Sequence, residues 1–445
     1  ENLNEQQAQQ PMGCLHRFSK TIKVVIIGLL ILLLMIPMFM IENLISERGR
    51  TQEEAIDEVS EKWSLAQTIT GPYLNLQYPV VTENNGEKKV SIKDLILFPD
   101  ELMVNGQQKT EILKRSIYEV NVYQSELTLK GSFSSEELKK SRIDMDQLQF
   151  DRAAICLNLT DMRGISEQIS ITLGDSVYIF EPGMDNRGIA NTGVHAIANL
   201  SELKQNKKLP YEIKIKLKGS QSLNFIPLGK TTRVDLKANW NTPSFTGNYL
   251  PNNRNITEKE FSAQWQVLNL NRNYSQVMAD YNTSNIKDIE NSSFGVNFKI
   301  PVEQYQQSMR SAKYAILIIL LTFGVIFFTE IMNKTRIHAL QYLLVGLALC
   351  LFYSLLLSFS EHIGFNPAYL LSSALTIILV GGYMFGITKK KKPSLIMSGL
   401  LGILYLYIFV LIQLETFALL AGSLGLFIIL AMVMYFSKKI DWFNE

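Results

Sequence analysis

The sequence predicts an α+β membrane protein with six transmembrane helices, one N-terminal and five C-terminal, and a large β-rich domain inserted between the first and second helices. Two observations predict this class. Apolar residues concentrate in residues 22–41 and 314–436, in runs about as long as a bilayer-spanning helix requires. Residues 42–313 are mixed in polarity and show the alternation of β-strands. This middle segment is therefore expected to fold in water.

The first apolar run begins the predicted architecture. It follows a basic flank, has no small-residue cleavage site and is longer than a signal-peptide core, so it predicts an uncleaved signal anchor. The predicted parts are a cytoplasmic tail (1–21), the anchor (22–41), the β-rich domain (42–313), a five-helix transmembrane bundle (314–436) and a second cytoplasmic tail (437–445).

Residues 338–365 determine the predicted orientation. About twenty apolar residues separate a basic flank, Lys334 and Arg336, from an acidic one, Glu361. Lys and Arg favour the cytoplasmic side, so this helix is predicted to start inside and end outside. The lysines at 389–392 continue the pattern. Both termini are therefore predicted inside and the β-rich domain outside.

Residues 42–313 predict a mostly antiparallel sheet domain of ten or more strands. Alternation is clearest at residues 211–218, 234–240 and 261–268, and turn residues separate the runs. Trp240 and Phe245 bracket a turn at a strand end and are expected to be buried anchors.

Helices are also predicted within this domain. An amphipathic helix with Ile56, Val59 and Trp63 on one face is expected to start at Ser46 and to stop at Gly71–Pro72. Residues 136–145 predict a short exposed helix, and residues 274–291 predict a loop or helix facing water.

Charge and cysteine content exclude several classes of protein. The chain has 43 Lys and Arg, 41 Asp and Glu, and a formal net charge of +2, without the basic patch that nucleic-acid binding requires. Of the three cysteines, Cys14 precedes the first helix, Cys350 lies in a membrane helix and Cys156 alone lies in the domain. The domain therefore has no internal disulfide, and Cys156 is expected to be a buried structural thiol.

Several segments together carry a family resemblance. They are residues 346–365, which contain Ser-Glu-His-Ile-Gly-Phe, and residues 163–165, 193–196, 219–220, 227–229, 240–247 and 310–314. With them the chain resembles the CreD family of bacterial inner-membrane proteins from about residue 48 to residue 442. It departs from the family pattern at Ala339, where Pro is usual, and at residues 415–417. The resemblance implies an inner-membrane location and a role in cell-envelope integrity under stress.

The outer helix ends contain candidate functional residues. His195 and His362 are predicted outside, and Glu361 and Glu415 lie at outer helix ends, so a metal or acid/base site is one interpretation. No HExxH spacing supports it, and domain docking is favoured. Glu361 is then expected to pair with a basic residue beside the β-rich domain. The candidates are Arg48, Arg50, Arg310 and Lys313.

Glu330 is the candidate intramembrane acid. It lies near the inner end of its apolar run, where a carboxylate needs a partner. Lys334 or Arg336 could reach it along the membrane surface. An interfacial ion pair is favoured over an ion or proton pathway.

Function is predicted from this architecture and the resemblance together. No catalytic, phosphate-binding or dinucleotide motif occurs, and no cofactor or catalytic residue is predicted. The favoured hypothesis is a non-enzymatic envelope-integrity protein, whose partners are the lipid bilayer and envelope proteins or lipids. The alternative is an enzyme or carrier for envelope lipids or glycans at the outer membrane face.

Overall fold

The computed structural model describes residues 19–84, 87–141, 143–184, 189–205, 207–279, 283–298, 300, 303–333, 336–414 and 417–438. The chain forms two compact units. One comprises Glu1–Gln52 together with Val302–Glu445, and the other comprises Glu53–Pro301. We call them the helix unit and the sheet unit. The sheet unit lies within the predicted domain at 42–313.

Ten α-helices occur in the described residues. They are α1 (Ser19–Trp63), α2 (Glu136–Lys140), α3 (Ser201–Lys204), α4 (Thr283–Asn291), α5 (Glu303–Lys313), α6 (Ala315–Asn333), α7 (Ala339–Ile363), α8 (Phe365–Thr388), α9 (Lys391–Gln413) and α10 (Ala418–Ser437).

Four described helices are long and apolar enough to cross a membrane, namely α1, α7, α8 and α9. A bend of 41° separates α5 from α6, and together these two provide a fifth span if the bent pair counts as one. The described part of α10 contributes a shorter apolar helix, Leu420–Met432. The structure thus contains the predicted N-terminal and C-terminal groups of apolar helices, and the number six remains a prediction.

The helix α1 is longer than the predicted anchor. The anchor and the amphipathic helix predicted after it form one continuous helix of 45 residues with Pro37 inside it. It ends at Trp63, so the predicted stop at Gly71–Pro72 is wrong. Gly71 lies in a strand, at a break in register, with φ 136°. A Cβ atom added to Gly71 would lie 3.0 Å from the Cys156 carbonyl oxygen. Gly71 and Pro72 therefore lie at an irregularity of β1, where its backbone closely approaches the backbone of β5.

Seventeen strands are described in the sheet unit. They are β1 (Gln67–Asn84), β2 (Glu87–Leu97), β3 (Glu101–Arg115), β4 (Tyr118–Phe133), β5 (Ala153–Leu159), β6 (Ser170–Leu173), β7 (Ser176–Ile179), β8 (Glu181–Pro182), β9 (Val194–Ala198), β10 (Leu209–Ser220), β11 (Ser222–Phe225), β12 (Thr231–Ala238), β13 (Ser244–Gly247), β14 (Asn253–Ile256), β15 (Phe261–Leu268), β16 (Val277–Ala279) and β17 (Phe294–Asn297).

The strands make two sheets. The first has the order β13-β17-β11-β1-β5-β9-β8, with β2 paired to β1 and β16 paired to β2. The second has the order β14-β15-β12-β3-β4-β10-β6-β7. Among the described pairings, β1 with β11 and β3 with β12 are parallel and the others are antiparallel. The prediction of a mostly antiparallel domain of ten or more strands agrees with this arrangement.

The two sheets share one hydrophobic core. Trp265 on β15 lies 5.8 Å from Phe294 on β17, measured between ring centroids, and these strands belong to different sheets. A second cluster includes Cys156 and Ile289, both buried. Ile289 belongs to α4, so the segment predicted to face water contributes one face to the interior. Leu138 of α2 is likewise buried, in a helix that the sequence predicts to be exposed.

The two predicted aromatic anchors are less buried than expected. Trp240 and Phe245 are half-buried at the margin of the shared core. Phe245 makes an edge-to-face contact with Trp265 at 5.6 Å, and Trp240 donates from its indole nitrogen to the Thr242 carbonyl at 3.1 Å. Phe245 lies on β13, which is an edge strand of the first sheet, and Trp240 lies just before the turn that leads into it.

Candidate functional site

The outer end of α7 places Glu361 among residues of two other helices. The Glu361 side chain is 11% exposed and accepts a hydrogen bond of 3.0 Å from the hydroxyl of Tyr305 on α5. The Nε atom of Arg48 on α1 lies 3.8 Å from the same carboxylate oxygen. Immediately after α7, Gly364 adopts φ 78° and its N–H donates to the Ser360 carbonyl, which allows α8 to begin at the next residue.

The structure brings only one of the four proposed basic partners into a described ion pair with Glu361. That partner is Arg48. Arg50, Arg310, Lys313 and the neighbouring His362 all occupy exposed positions on their helices. Arg48 and Glu361 belong to the helix unit, so their pair connects α1 with α7. Docking of the sheet unit through this cluster stays a prediction.

A second carboxylate, Glu330, lies near the other end of the helix unit and is buried. Its Oε1 atom pairs with the Nζ of Lys23 on α1 and accepts the Ile337 N–H at 3.1 Å. Its Oε2 atom accepts the Tyr342 hydroxyl at 3.1 Å. The Lys23 ammonium also donates to the Ile337 carbonyl at 3.0 Å. Glu330 therefore connects α1, α6 and the beginning of α7.

Sequence reasoning misses Lys23 as a partner of Glu330. The sequence places Lys23 directly before the apolar run of α1, which is the usual position of an orienting charge. Of the two partners expected from the sequence, Arg336 is exposed and Lys334 lies outside the described residues. The sequence does contain a signal for this pair, because Lys23 and Glu330 are both charged residues at the predicted inner ends of their spans.

The bonding of these two acids limits their chemistry. Both oxygens of Glu330 hold hydrogen bonds, and Glu361 is bound by Tyr305 and paired with Arg48. A carboxylate with these partners holds helices together, and an active acid or base needs an oxygen directed towards a substrate. In the part of the chain that the structure describes, no three His, Cys, Asp or Glu residues form a group suited to a metal ion.

His195 and Glu415 complete the set of candidate residues. His195 lies on β9 in the sheet unit, and its Nδ1 atom is 2.7 Å from the Gly183 carbonyl oxygen. Glu415 lies outside the described residues. The ring of His195 is thus fixed by a backbone contact with the segment that follows β8.

The segment at 163–165 joins the end of α1 to the sheets. The Arg163 guanidinium binds the Asp161 carboxylate and also donates to the Glu61 carbonyl at 2.6 Å, in the last turn of α1. Burial raises the pKa of Asp161, but hydrogen bonds from Arg163 and from the Leu65 amide outweigh burial and lower that pKa to about 2. A Cβ atom on Gly164 would overlap the Lys218 carbonyl oxygen, so glycine is required for close backbone packing.

Two comparisons place the chain among known proteins. Residues 19–443 match the family model described as inner membrane protein CreD. The inner membrane protein CreD of Escherichia coli (strain K12) is 32% identical over 420 residues, which cover 93% of this chain and 91% of that protein.

Proposed function

The chain belongs to the family of the inner membrane protein CreD, and from this membership we propose that it is a multi-pass protein that supports cell-envelope integrity by binding envelope proteins or lipids through its sheet unit. We place the sheet unit in the periplasm and both termini in the cytoplasm, with six spans. The distribution of Lys and Arg around the apolar runs supports this orientation. In this proposal the protein works as a binding module and not as an enzyme.

The observation that carries the proposal is an exposed apolar surface on the β1–β2 hairpin. Val81 and Val90 are directly opposed across the two strands, and Ile92 is opposed to Pro79. Val81, Val90 and Ile92 are 59%, 63% and 63% exposed. Residues two apart on a strand share a face, so these side chains form one surface. Contiguous exposed apolar residues mark protein or lipid interaction sites. We call this surface the hairpin patch.

The helix unit supplies the anchor in this proposal. The ion pair of Lys23 with Glu330 and that of Arg48 with Glu361 hold α1 to the other helices at two points of its length. The sheet unit begins within α1 and ends just before α5, so these pairs secure the helices through which the sheet unit is attached to the membrane.

Site-specific photocrosslinking in living cells tests the proposal. A photoreactive amino acid replaces Val90 in the hairpin patch, and the matched control replaces Val177 on β7, which is equally exposed at 63%. We expect defined protein or lipid adducts from position 90 that position 177 does not give, and mass spectrometry will separate the two classes of partner. Equal adducts from both positions, or none from position 90, would contradict binding through the hairpin patch.

A second variant connects this binding to function. Val90→Asp places a charge in the hairpin patch at a side chain that is 63% exposed. We expect cells that carry only this variant to become more sensitive to detergent in the medium, whereas cells with Val177→Asp keep normal tolerance at equal protein abundance. Normal tolerance of the Val90→Asp cells would argue against the patch as the working surface.

A further inference from the structure

An apolar groove lies between α6, α9 and α10 in the helix unit. Its volume is about 370 Å³, and its lining extends along α6 from Leu320 to Phe328, about 12 Å of helix. In the lining, Leu404 of α9 is buried, whereas Ile403 and Ile428 are 68% and 51% exposed. The groove is therefore a concave surface with a buried floor and an opening on the side of the bundle.

Two glycines in the lining shape the groove. A Cβ atom added to Gly324 on α6 would have no described neighbour within 4 Å apart from its own turn of helix, so this position borders open space. A Cβ atom on Gly425 of α10 would overlap the hydroxyl of Tyr407 on α9. Small residues let membrane helices approach closely, so Gly425 brings α10 against Tyr407 while Gly324 leaves room beside α6.

The lining offers no free polar group to an occupant. Among the lining residues that the structure describes, Tyr407 alone has a polar side chain, and its hydroxyl donates to the Ala421 carbonyl of α10 at 2.9 Å. A polar group placed in the groove would lose its hydrogen bonds to water without gaining others. A ligand held there therefore has to present hydrocarbon.

The helices that form the groove have basic residues at one end of the helix unit. Arg336 follows α6, Lys391 and Lys392 begin α9, and Lys438 follows α10. All four are exposed. Lys392 precedes Ile403 by eleven residues, about three helical turns, so Lys392 lies on the face of α9 that lines the groove. Positive charge is thus aligned with the groove along α9.

The size of the groove selects among apolar occupants. A helix of the same length is about 10–12 Å across and fills roughly 900 Å³, which is more than twice the volume of the groove. One leaflet of hydrocarbon is about 15 Å thick, so a phospholipid acyl chain reaches the groove when its head group lies at the basic end. The lysines there favour an anionic head group.

We propose that the groove is a binding site for an anionic phospholipid. One acyl chain lies in the groove beside Gly324 and Leu404, and the head-group phosphate pairs with Lys391 and Lys392 at the start of α9. Burial of the acyl chain holds the lipid in place, and the charge pair selects the anionic head group. The bound lipid fills the space between α6, α9 and α10 and so joins these three helices.

Native mass spectrometry of the full-length protein in detergent micelles tests the proposal with two lipids. The protein is titrated with dioleoylphosphatidylglycerol, which is anionic, and with dioleoylphosphatidylcholine, which has the same acyl chains and no net charge. We expect one phosphatidylglycerol per chain to bind about tenfold more tightly than phosphatidylcholine, because two lysines attract its phosphate. Equal binding of the two lipids would overturn the proposal.

A substitution that fills the groove tests where the acyl chain lies. Gly324→Leu should weaken phosphatidylglycerol binding by about tenfold or more, because its side chain displaces several methylene groups of the lipid. The matched control is Gly382→Leu on α8, an exposed position that also has no described neighbour within 4 Å beyond its own turn. Both variants gain the same helix propensity, and the control should bind as the natural protein does. Unchanged binding by Gly324→Leu would refute the proposal.

A second pair of variants tests the head-group contact. Lys391→Gln combined with Lys392→Gln should lower the affinity for phosphatidylglycerol to that for phosphatidylcholine and leave phosphatidylcholine binding unchanged. Arg50→Gln combined with Lys313→Gln is the control, since it removes two exposed charges at the other end of the helix unit. Equal losses in the two double variants would contradict a defined head-group site. A protein dimer that dissociates in Gly324→Leu would also overturn the proposal, because it would assign the groove to a helix of a second copy.

Discussion

The hydroxyl of Tyr305 on α5 donates a hydrogen bond of 3.0 Å to the carboxylate of Glu361 in the last turn of α7. Tyr305 is buried, so its hydroxyl needs an acceptor inside the protein, and Glu361 supplies one. Arg48 approaches the same oxygen from α1 at 3.8 Å, but its side chain is 48% exposed. The hydrogen bond is therefore expected to contribute more to stability than the ion pair, which water screens.

Two substitutions at Glu361 separate these contributions. Glu361→Gln keeps an acceptor for Tyr305 and removes the charge, and it should lower the free energy of unfolding by less than about 1 kcal/mol. Glu361→Ala takes this acceptor from the Tyr305 hydroxyl and should cost about 1–3 kcal/mol. Thermal unfolding in detergent, followed by tryptophan fluorescence, measures both.

The exposed neighbour His362 provides the control for this pair. His362→Ala should leave the unfolding temperature unchanged, because the side chain is exposed and lies outside the cluster. Equal losses for the Gln and Ala variants of Glu361 would show that the charge, and not the Tyr305 bond, holds the helix end.

The sequence is sufficient to find Glu361 and insufficient to choose its partner. Glu361 stands out because the apolar pattern ends there and a carboxylate at a helix end needs a partner. Arg48 and Arg50 are two residues apart, so they point to different sides of α1, and only the packing of α1 decides which of them approaches Glu361. Tyr305 is not predicted, since nothing in the pattern places α5 beside α7.

In the sheet unit, too, the elements are predictable from the sequence but their partners are not. Alternation predicts individual strands such as β10 and β15 because their side chains alternate between the core and solvent. Pairing is not predictable, because the parallel partners β3 and β12 are far apart in sequence. The pairing of Lys23 is not predicted for a related reason, since its partner Glu330 lies 307 residues away in the sequence.

The depressed pKa of Asp161 predicts a dependence of stability on pH. The pKa falls from 3.8 to about 2 on folding, so the carboxylate stabilises the folded state above pH 3.8 and this contribution is lost as the pH falls towards 2. Its size is about 1–2 kcal/mol, because solvent screens the exposed Arg163 partner. Denaturant unfolding of the full chain between pH 5 and pH 2 measures it. Asp161→Asn should remove this part of the acid sensitivity, and an unchanged pH profile in that variant would assign the loss to other carboxylates.

Trp265, in the second sheet, and Trp240, at the margin of the core, should differ in how much each contributes to stability. Trp265 is 2% exposed and donates to the Tyr249 carbonyl at 3.2 Å, so Trp265→Ala should cost about 3–5 kcal/mol. Trp240 is half-buried, and Trp240→Ala should cost about 1–2 kcal/mol. Chemical unfolding of both variants provides the comparison, and equal losses would mean that Trp240 is buried in solution.

The proposed orientation can be tested by labelling single cysteines. Cys14, Cys156 and Cys350 are first replaced, and a cysteine is then introduced at Asn105 on β3 or at Lys391 at the start of α9, both of which are exposed. An impermeant thiol reagent added to cells with a permeabilised outer membrane should label position 105 only. Labelling of position 391 before the inner membrane is broken would reverse the orientation.

Lys23 and Glu330 should be strongly coupled, because neither charge has another described counter-charge at that depth. Lys23→Met leaves the buried Glu330 carboxylate without its cation and should cost about 3–5 kcal/mol. Glu330→Gln should cost less, because the Lys23 side chain is 28% exposed and its ammonium can turn towards water. Combining Lys23→Met with Glu330→Gln removes both charges together and should recover much of the stability lost in Lys23→Met, because no unpaired buried charge is left. Arg336→Ala is the matched control, since Arg336 is exposed at the same end of the helix unit. Thermal unfolding of the four variants in nanodiscs gives the coupling free energy. If the loss of stability in the double variant equals the sum of the losses in the two single variants, the two residues act independently. Apolar packing alone would then hold α1 to α6.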